Sequence, residues 1–197
     1  MKEALYLQLN KIKDLEIREF AKQVLDNAPE GFWTTPCSGT GRFHPSENQG
    51  HEGLIRHLIK CIITAEDLYR YLNLSERDKD IIIASTILHD IKKNGEPWGK
   101  STDMQHGKIG ADFLDKFQLK EPEKTEIKNC VRYHLGRFTG TKEDVERASN
   151  PAIKELVIRL TDYFCSRKYA SWLPGINVSQ EDINKFFNNI QLDLNAY

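Results

Sequence analysis

Three observations predict an all-α fold. Apolar residues recur at helical spacing in several separate stretches, no stretch alternates with the period of two that marks a half-buried strand, and capping residues, prolines and glycines punctuate the helical stretches at short intervals. One segment departs from the pattern. Pro29 to Gly53, "PEGFWTTPCSGTGRFHPSENQGHEG", is rich in Gly, Pro, Ser and Thr and is expected to form one long loop ahead of the next helix.

The elements follow in order. Leu5, Leu9, Ile12, Leu15, Phe20, Val24 and Leu25 keep helical spacing but are interrupted by "KDLE", which predicts a helix in two pieces. After the loop, Leu54, Leu58, Cys61, Ile62, Ala65, Leu68 and Leu72 trace one face of a long helix, with His57 on the edge of that stripe. Ser75 with Asp78 resembles a capping box, opening a helix through Ile81, Ile82, Ile83, Ala84, Ile87 and Leu88 to His89 and Asp90, with Asn94 and Gly95 as its stop signal. "GEPWGKSTDM" reads as a loop, followed by helices from His106 to Phe117 and from Pro122 to His134. "GTKEDVERASN" reads as a polar run. Asn150 and Pro151 then start a helix through Leu156, Val157, Leu160 and Phe164, and Ser179 with Asp182 starts a last, short one.

At 197 residues the chain suits one domain, able to bury a core without disulfide or metal staples. Residues 1–28 would form the N-terminal helices, 29–53 the loop, 54–170 the core and 171–197 a C-terminal extension. With 28 basic and 29 acidic residues the net charge is −1, which argues against a large nucleic-acid footprint. Cys37, Cys61, Cys130 and Cys165 are widely spaced with no CxxC pair, and read as reduced core thiols. The N-terminus is charged throughout, and no stretch is long enough to span a bilayer. A cytoplasmic protein with no membrane partner is the expectation.

The chemistry lies where polar residues meet apolar helices. His89 and Asp90 close a core helix, His134 closes another, His57 sits among core residues, and Asp162 lies inside "ELVIRLTDYF". An unpaired buried carboxylate costs several kcal/mol. One divalent cation would satisfy Asp90 and Asp162 together, with His57 and His89 completing a four-ligand set. Mixed imidazole and carboxylate ligands suit Mn, Fe, Co, Ni or Zn, with Mg also open. Taken alone, a His-Asp dipeptide is more often a cap, and His57 could be a hydrogen-bonded core histidine.

The order His57, His89-Asp90, Asp162 resembles the H…HD…D signature of the HD-domain metal-dependent phosphohydrolase superfamily. "ILHDIKKNG" is similar to that family's HDIxK segment, and "ELVIRLTDYFCSRKY" to its late helix. The resemblance implies a helical domain that binds divalent metal. His106 and His134 fit the subset with two metals, in the order H…HD…H…H…D. Asp90 would then bridge two ions and be catalytic, with His57, His89 and Asp162 on one ion and His106 and His134 on the other.

Two such cations clamp a phosphate and lower the pKa of a bound water, so that hydroxide attacks phosphorus. Lys93 matches the lysine of HDIxK and is the first candidate, catalytic and phosphate-contacting, although Lys92 and Lys93 also suit a helix C-terminus. Arg137, in "HLGRF", could grip a phosphate with two hydrogen bonds. Arg167 is a further candidate, and Lys168 reads as a solvated helix face.

"PCSGTGRFHPSENQGHEGLIRH" is similar to the P…HH…GGLLxH approach to the first ligand in a bacterial family of HD-type 3′-to-5′ exoribonucleases, with Pro45 in place of the second His. It makes Arg42 and His44 substrate-contacting candidates, and His51 a loop residue. Trp33, Phe43 and Trp98 could stack on a base or serve as packing anchors. The expected partner is a nucleotide or other phosphorylated small molecule. The alternatives are single-stranded nucleic acid cut by a 3′-to-5′ exonuclease, and a non-catalytic protein that binds metal and nucleotide.

Overall fold

The computed structural model describes residues 1–38, 44–138 and 141–167, apart from the side chains of Arg137 and Ala148. The predicted helix at Ser179 lies outside these residues. The described residues form nine α-helices and no strand: α1 (Lys2–Gln8), α2 (Leu15–Asp26), α3 (Glu30–Thr34), α4 (Gly53–Tyr71), α5 (Glu76–Leu88), α6 (His106–Leu114), α7 (Glu123–Tyr133), α8 (Lys142–Ala148) and α9 (Ile153–Cys165). None is long and apolar enough to cross a membrane.

α5 is the centre of the packing. Its residues from Asp80 to Leu88 are buried on every side, as a helix apolar all round must be, and α2, α4, α7 and α9 pack against it. The Ser75 hydroxyl caps it by accepting from the Asp78 backbone N–H at 3.1 Å. Asp80 is buried yet satisfied, because its two carboxylate oxygens accept the backbone N–H groups of Lys13 (2.9 Å) and Asp14 (2.8 Å). Those are the residues at which the N-terminal helix breaks in two. Asp14 then caps α2 through the N–H groups of Glu16 and Ile17.

Four expectations need correction. α5 ends at Leu88 with His89 as its cap, so Asn94 and Gly95 are not its stop signal: residues 89–95 continue in tight turns whose N–H groups bond three residues back, from Ile91 to Leu88, Lys93 to Asp90 and Gly95 to Lys92. The polar run after Gly140 is in fact helical: Thr141 caps α8 by accepting from the Asp144 N–H at 3.1 Å. α9 starts after Ala152, where the Glu155 carboxylate accepts the Ala152 N–H, two residues later than the Asn-Pro signal places it.

The long segment before α4 is not wholly loop either, since it contains α3 and a 3₁₀ turn at Ser46–Asn48. Its described ends are tied to α4. Cys37 N–H bonds Asn48 O, Glu52 N–H bonds Thr34 O, and Leu54 N–H bonds Thr35 O. Gly53 permits this closeness, because a Cβ there would lie 2.1 Å from Asn48 O. Trp33 and Trp98 are packing anchors. Trp33 stacks on Tyr6 and meets Phe32 edge-on, and Trp98 packs so closely over Gly31 that a Cβ would reach its ring. Phe43 lies outside the described residues.

Candidate metal centre

α4 and α7 each pack against both α5 and α9, α5 packs on α9 and α6 on α7, so helix ends distant in sequence converge. His57 sits in the second turn of α4, His89 caps the C-terminus of α5 and Asp90 follows it. His106 is the first residue of α6, His134 caps α7, and Asp162 lies in the last turn of α9. His57, His89, Asp90, His106 and His134 are all buried.

All six predicted ligands come together. His57 Nε2 is 3.1 Å from Asp162 Oδ1 and 4.0 Å from Asp90 Oδ2, and His89 Nε2 is 3.6 Å from Asp90 Oδ2 and 3.8 Å from Asp162 Oδ1. The other Asp90 oxygen, Oδ1, is 2.9 Å from His106 Nε2 and 3.6 Å from His134 Nε2. Asp90 therefore turns one oxygen to each histidine group.

The hydrogen bonds fix how the imidazoles are protonated. Nδ1 of His89 lies 2.8 Å from Thr86 O, that of His106 2.5 Å from Asp103 O, and that of His134 2.7 Å from Val131 O. A carbonyl only accepts, so each Nδ1 donates, which leaves Nε2 as the ring nitrogen that faces inward and can offer a lone pair to a cation. There the lone pairs meet one another and carboxylate oxygens, with His106 Nε2 and His134 Nε2 3.1 Å apart. His89 Nε2 and Asp90 Oδ1 are buried without a well-formed hydrogen bond of their own, even though Asp90 Oδ1 is near His106. Inward lone pairs on imidazoles tethered by backbone carbonyls are the arrangement of metal-ligating histidines. The donor set fits divalent transition metal.

The charge state agrees. Burial holds the His89 imidazole down to about 4, and lowers His106 as well. Burial alone would raise both carboxyls. Lys93 and the surrounding imidazoles instead hold Asp90 well below the usual carboxylate range, and His57 does the same for Asp162. His57 is raised, against the effect of burial, by its pairing with Cys37 and Asp162.

The HD domain family matches residues 54–167, more than half of the chain. The chain belongs to the HD-domain metal-dependent phosphohydrolase superfamily. No curated protein and no solved structure matches it.

Within the HD site, Lys93 is buried and its Nζ lies 2.5 Å from Asp90 Oδ2, a pairing that keeps its ammonium charged despite burial. Lys92 is turned away, ion-paired with Glu96 and set over the Phe113 ring. His44 is half-buried beside His57, the ring centroids 5.4 Å apart, and burial lowers it to about 4. Arg167 is exposed and stacked on Tyr163 at 4.1 Å. His51 is exposed near Glu52. Arg42, the side chain of Arg137 and Lys168 lie outside the described residues.

Sequence reasoning missed the thiols here. All four cysteines are buried and free, but three border the site rather than simply filling core. Cys61 Sγ is 3.4 Å from His57 Nε2, Cys37 Sγ is 3.8 Å from His44 Nε2, and Cys165 Sγ is 3.4 Å from Thr64 Oγ1. His57 and Cys61 are four residues apart on one helix, and that spacing was a usable signal. Cys37 and His44 lie in a segment without periodicity, which offered none.

Proposed function

We propose that this protein is a metal-dependent phosphohydrolase with two cations, acting in the cytoplasm on a phosphoester or phosphoanhydride of a nucleotide or short phosphodiester. Residues 1–197 form one domain in this reading. The observation that carries it is the Asp90 carboxylate, with one oxygen toward His57 and His89 and the other toward His106 and His134. His57, His89 and Asp162 would hold the first ion and His106 and His134 the second, with Asp90 placed to offer an oxygen to each. Bound there, the ions supply positive charge for phosphoryl oxygens and a water of lowered pKa.

The chain's own groups do the rest. The carbonyls of Thr86, Asp103 and Val131 hold three imidazoles in the ligating tautomer, so no reorganisation is needed when substrate arrives. Lys93 is the ammonium that turns from Asp90 to a phosphoryl oxygen, and Arg42, Arg137 and Arg167 are the outer phosphate contacts. A small substrate is favoured over single-stranded nucleic acid for two reasons. Trp33 and Trp98 are already engaged in packing, and the net charge of −1 offers no extended basic track.

The test is turnover of a panel of nucleotides, dinucleoside polyphosphates, cyclic dinucleotides and short single-stranded RNA by metal-loaded protein. Expected is hydrolysis of one small-molecule class, abolished by chelation and by Asp90→Asn. Stepwise products from RNA would instead establish the exonuclease. Absence of turnover with every divalent metal sinks the hydrolase reading and leaves a protein that binds metal without catalysis.

A further inference from the structure

The thiol of Cys37 has no part in the HD ligand set, yet it is almost fully buried at the edge of that set. Its sulfur, a ring nitrogen of His44 and a ring nitrogen of His57 all lie within 4.8 Å of one another. A tetrahedral cation with Zn–S of about 2.3 Å and Zn–N of about 2.0–2.1 Å places two nitrogens about 3.3 Å apart and a sulfur and a nitrogen about 3.5 Å apart. The Cys37 Sγ to His44 Nε2 distance of 3.8 Å is a few tenths of an ångström longer, so the two side chains close slightly on a cation.

His44 Nδ1 is buried and finds no hydrogen-bond partner among the described residues, so its tautomer is not fixed by a carbonyl as those of the HD rings are, and either ring nitrogen is open to a cation. The backbone around these groups is bonded within itself, Cys37 N–H to Asn48 O and Gln49 Nε2 to His44 O, and to α4, where Arg56 bonds the carbonyls of Glu47 and Gln49 and Lys60 pairs with Glu47. Asn48, itself fully buried, reaches across to Cys165 O on α9.

We infer that Cys37, His44 and His57 form a thiolate-imidazole site for a soft divalent cation such as zinc or ferrous iron. The thiol proton passes to solvent as the sulfur–metal bond forms. Sulfur distinguishes this site from the nitrogen and oxygen donors of the HD set and selects against Mg and Mn. His44, expected as a substrate contact, becomes a metal ligand. His57 is common to both sites and, as a neutral imidazole, has one lone pair to give, so a cation held here would compete with the first HD ion for it; the inference rests on the HD reading only through that competition.

Cobalt titration of the full chain tests it, because a cysteine thiolate on Co²⁺ gives a sulfur-to-metal charge-transfer band in the near ultraviolet and HD donors alone do not. The band is expected in the native protein and in Cys61→Ser, absent in Cys37→Ser and weakened in His44→Ala. Zinc affinity in Cys37→Ser should fall at least as far as the about 10–100-fold that outer-shell changes cost. Helical circular dichroism checks each variant, and His44→Ala carries the test should Cys37→Ser not fold. Cobalt bound without the band, or a band that survives Cys37→Ser or vanishes with Cys61→Ser, overturns the sulfur site while leaving the hydrolase reading untouched. A band that behaves as expected in a protein with no hydrolytic turnover leaves the sulfur site standing alone.

Discussion

His106 Nε2 lies 2.9 Å from Asp90 Oδ1 while its Nδ1 is committed to the carbonyl of Asp103. Two electron-rich atoms face each other at that distance only when something positive lies between or beside them. In the bare chain the nearby ammonium of Lys93 partly fills that role, 2.5 Å from the other oxygen of Asp90. A cation on that side of Asp90 would fill it better, because it would also take up the lone pair of His134.

Metal should therefore stabilise the fold as well as serve chemistry. A free-metal concentration of about 100 Kd adds about 2.7 kcal/mol to the stability of a one-site protein. For a chain of this size that corresponds to a Tm higher by about 5–11 °C. Thermal unfolding with metal and with chelator measures it, and identical melting curves would contradict a preformed site.

Lys93→Met separates the two sources of positive charge. Removing one partner of a buried ion pair costs on the order of 3–5 kcal/mol because the other charge is left uncompensated. Both Lys93 and Asp90 are buried. In chelator the variant should lose stability on that scale, and with metal bound most of the loss should disappear. Denaturant titrations of both proteins in both conditions give the comparison. An equal loss with and without metal would mean that the cation does not reach Asp90.

Gly107→Ala tests the second ion separately. A Cβ at Gly107 would lie 2.6 Å from Arg132 O and 3.1 Å from Val131 O, so any side chain forces the start of α6 away from the end of α7. His106 and His134, 3.1 Å apart through Nε2, straddle that contact. Overpacking of this kind costs about 1–3 kcal/mol. The bound-metal count should fall from two toward one, read by elemental analysis of purified protein, with the His57 side retained.

The same contact explains what the sequence could and could not reveal. Helix existence was legible from apolar spacing, and α5 from the Ser75 cap followed by Ile81 to Leu88, because burial of that run is what forms the helix. Its end was not, since Asn94 and Gly95 close the turn run after the helix rather than the helix itself. α8 escaped because it has no apolar stripe, although Thr141 with Asp144 carried a cap signal. The first four ligands stood out as polar residues in apolar helices. His134 stood out only as the close of an apolar helix, and its pairing with His106 came only through family resemblance, because their meeting depends on how closely α6 and α7 approach, which no local periodicity encodes.

Stability of the metal-free protein should fall as the pH drops below neutrality. An imidazole in the unfolded chain titrates near about 6.5. Burial lowers His89 and His44 to about 4 in the folded protein and moves His106 in the same direction. The unfolded chain thus takes up these protons first. The stability the neutral rings contribute is fully present above about pH 6.5 and is lost as the pH falls toward about 4. For His89 alone, fully buried, that is about 3 kcal/mol, while partly exposed His44 contributes less. His57 shifts the other way: its contribution is complete below about pH 6.5 and is lost as the pH rises through its elevated value, so it adds no slope in the acid window. Asp90 and Asp162, held below the usual carboxylate range, extend the loss further as the pH drops below about 4. Urea unfolding in chelator at about pH 7 and about pH 4.5 measures the difference, and a flat profile would mean that these rings are not held neutral. The same protons compete with metal, so metal affinity should weaken across the same window.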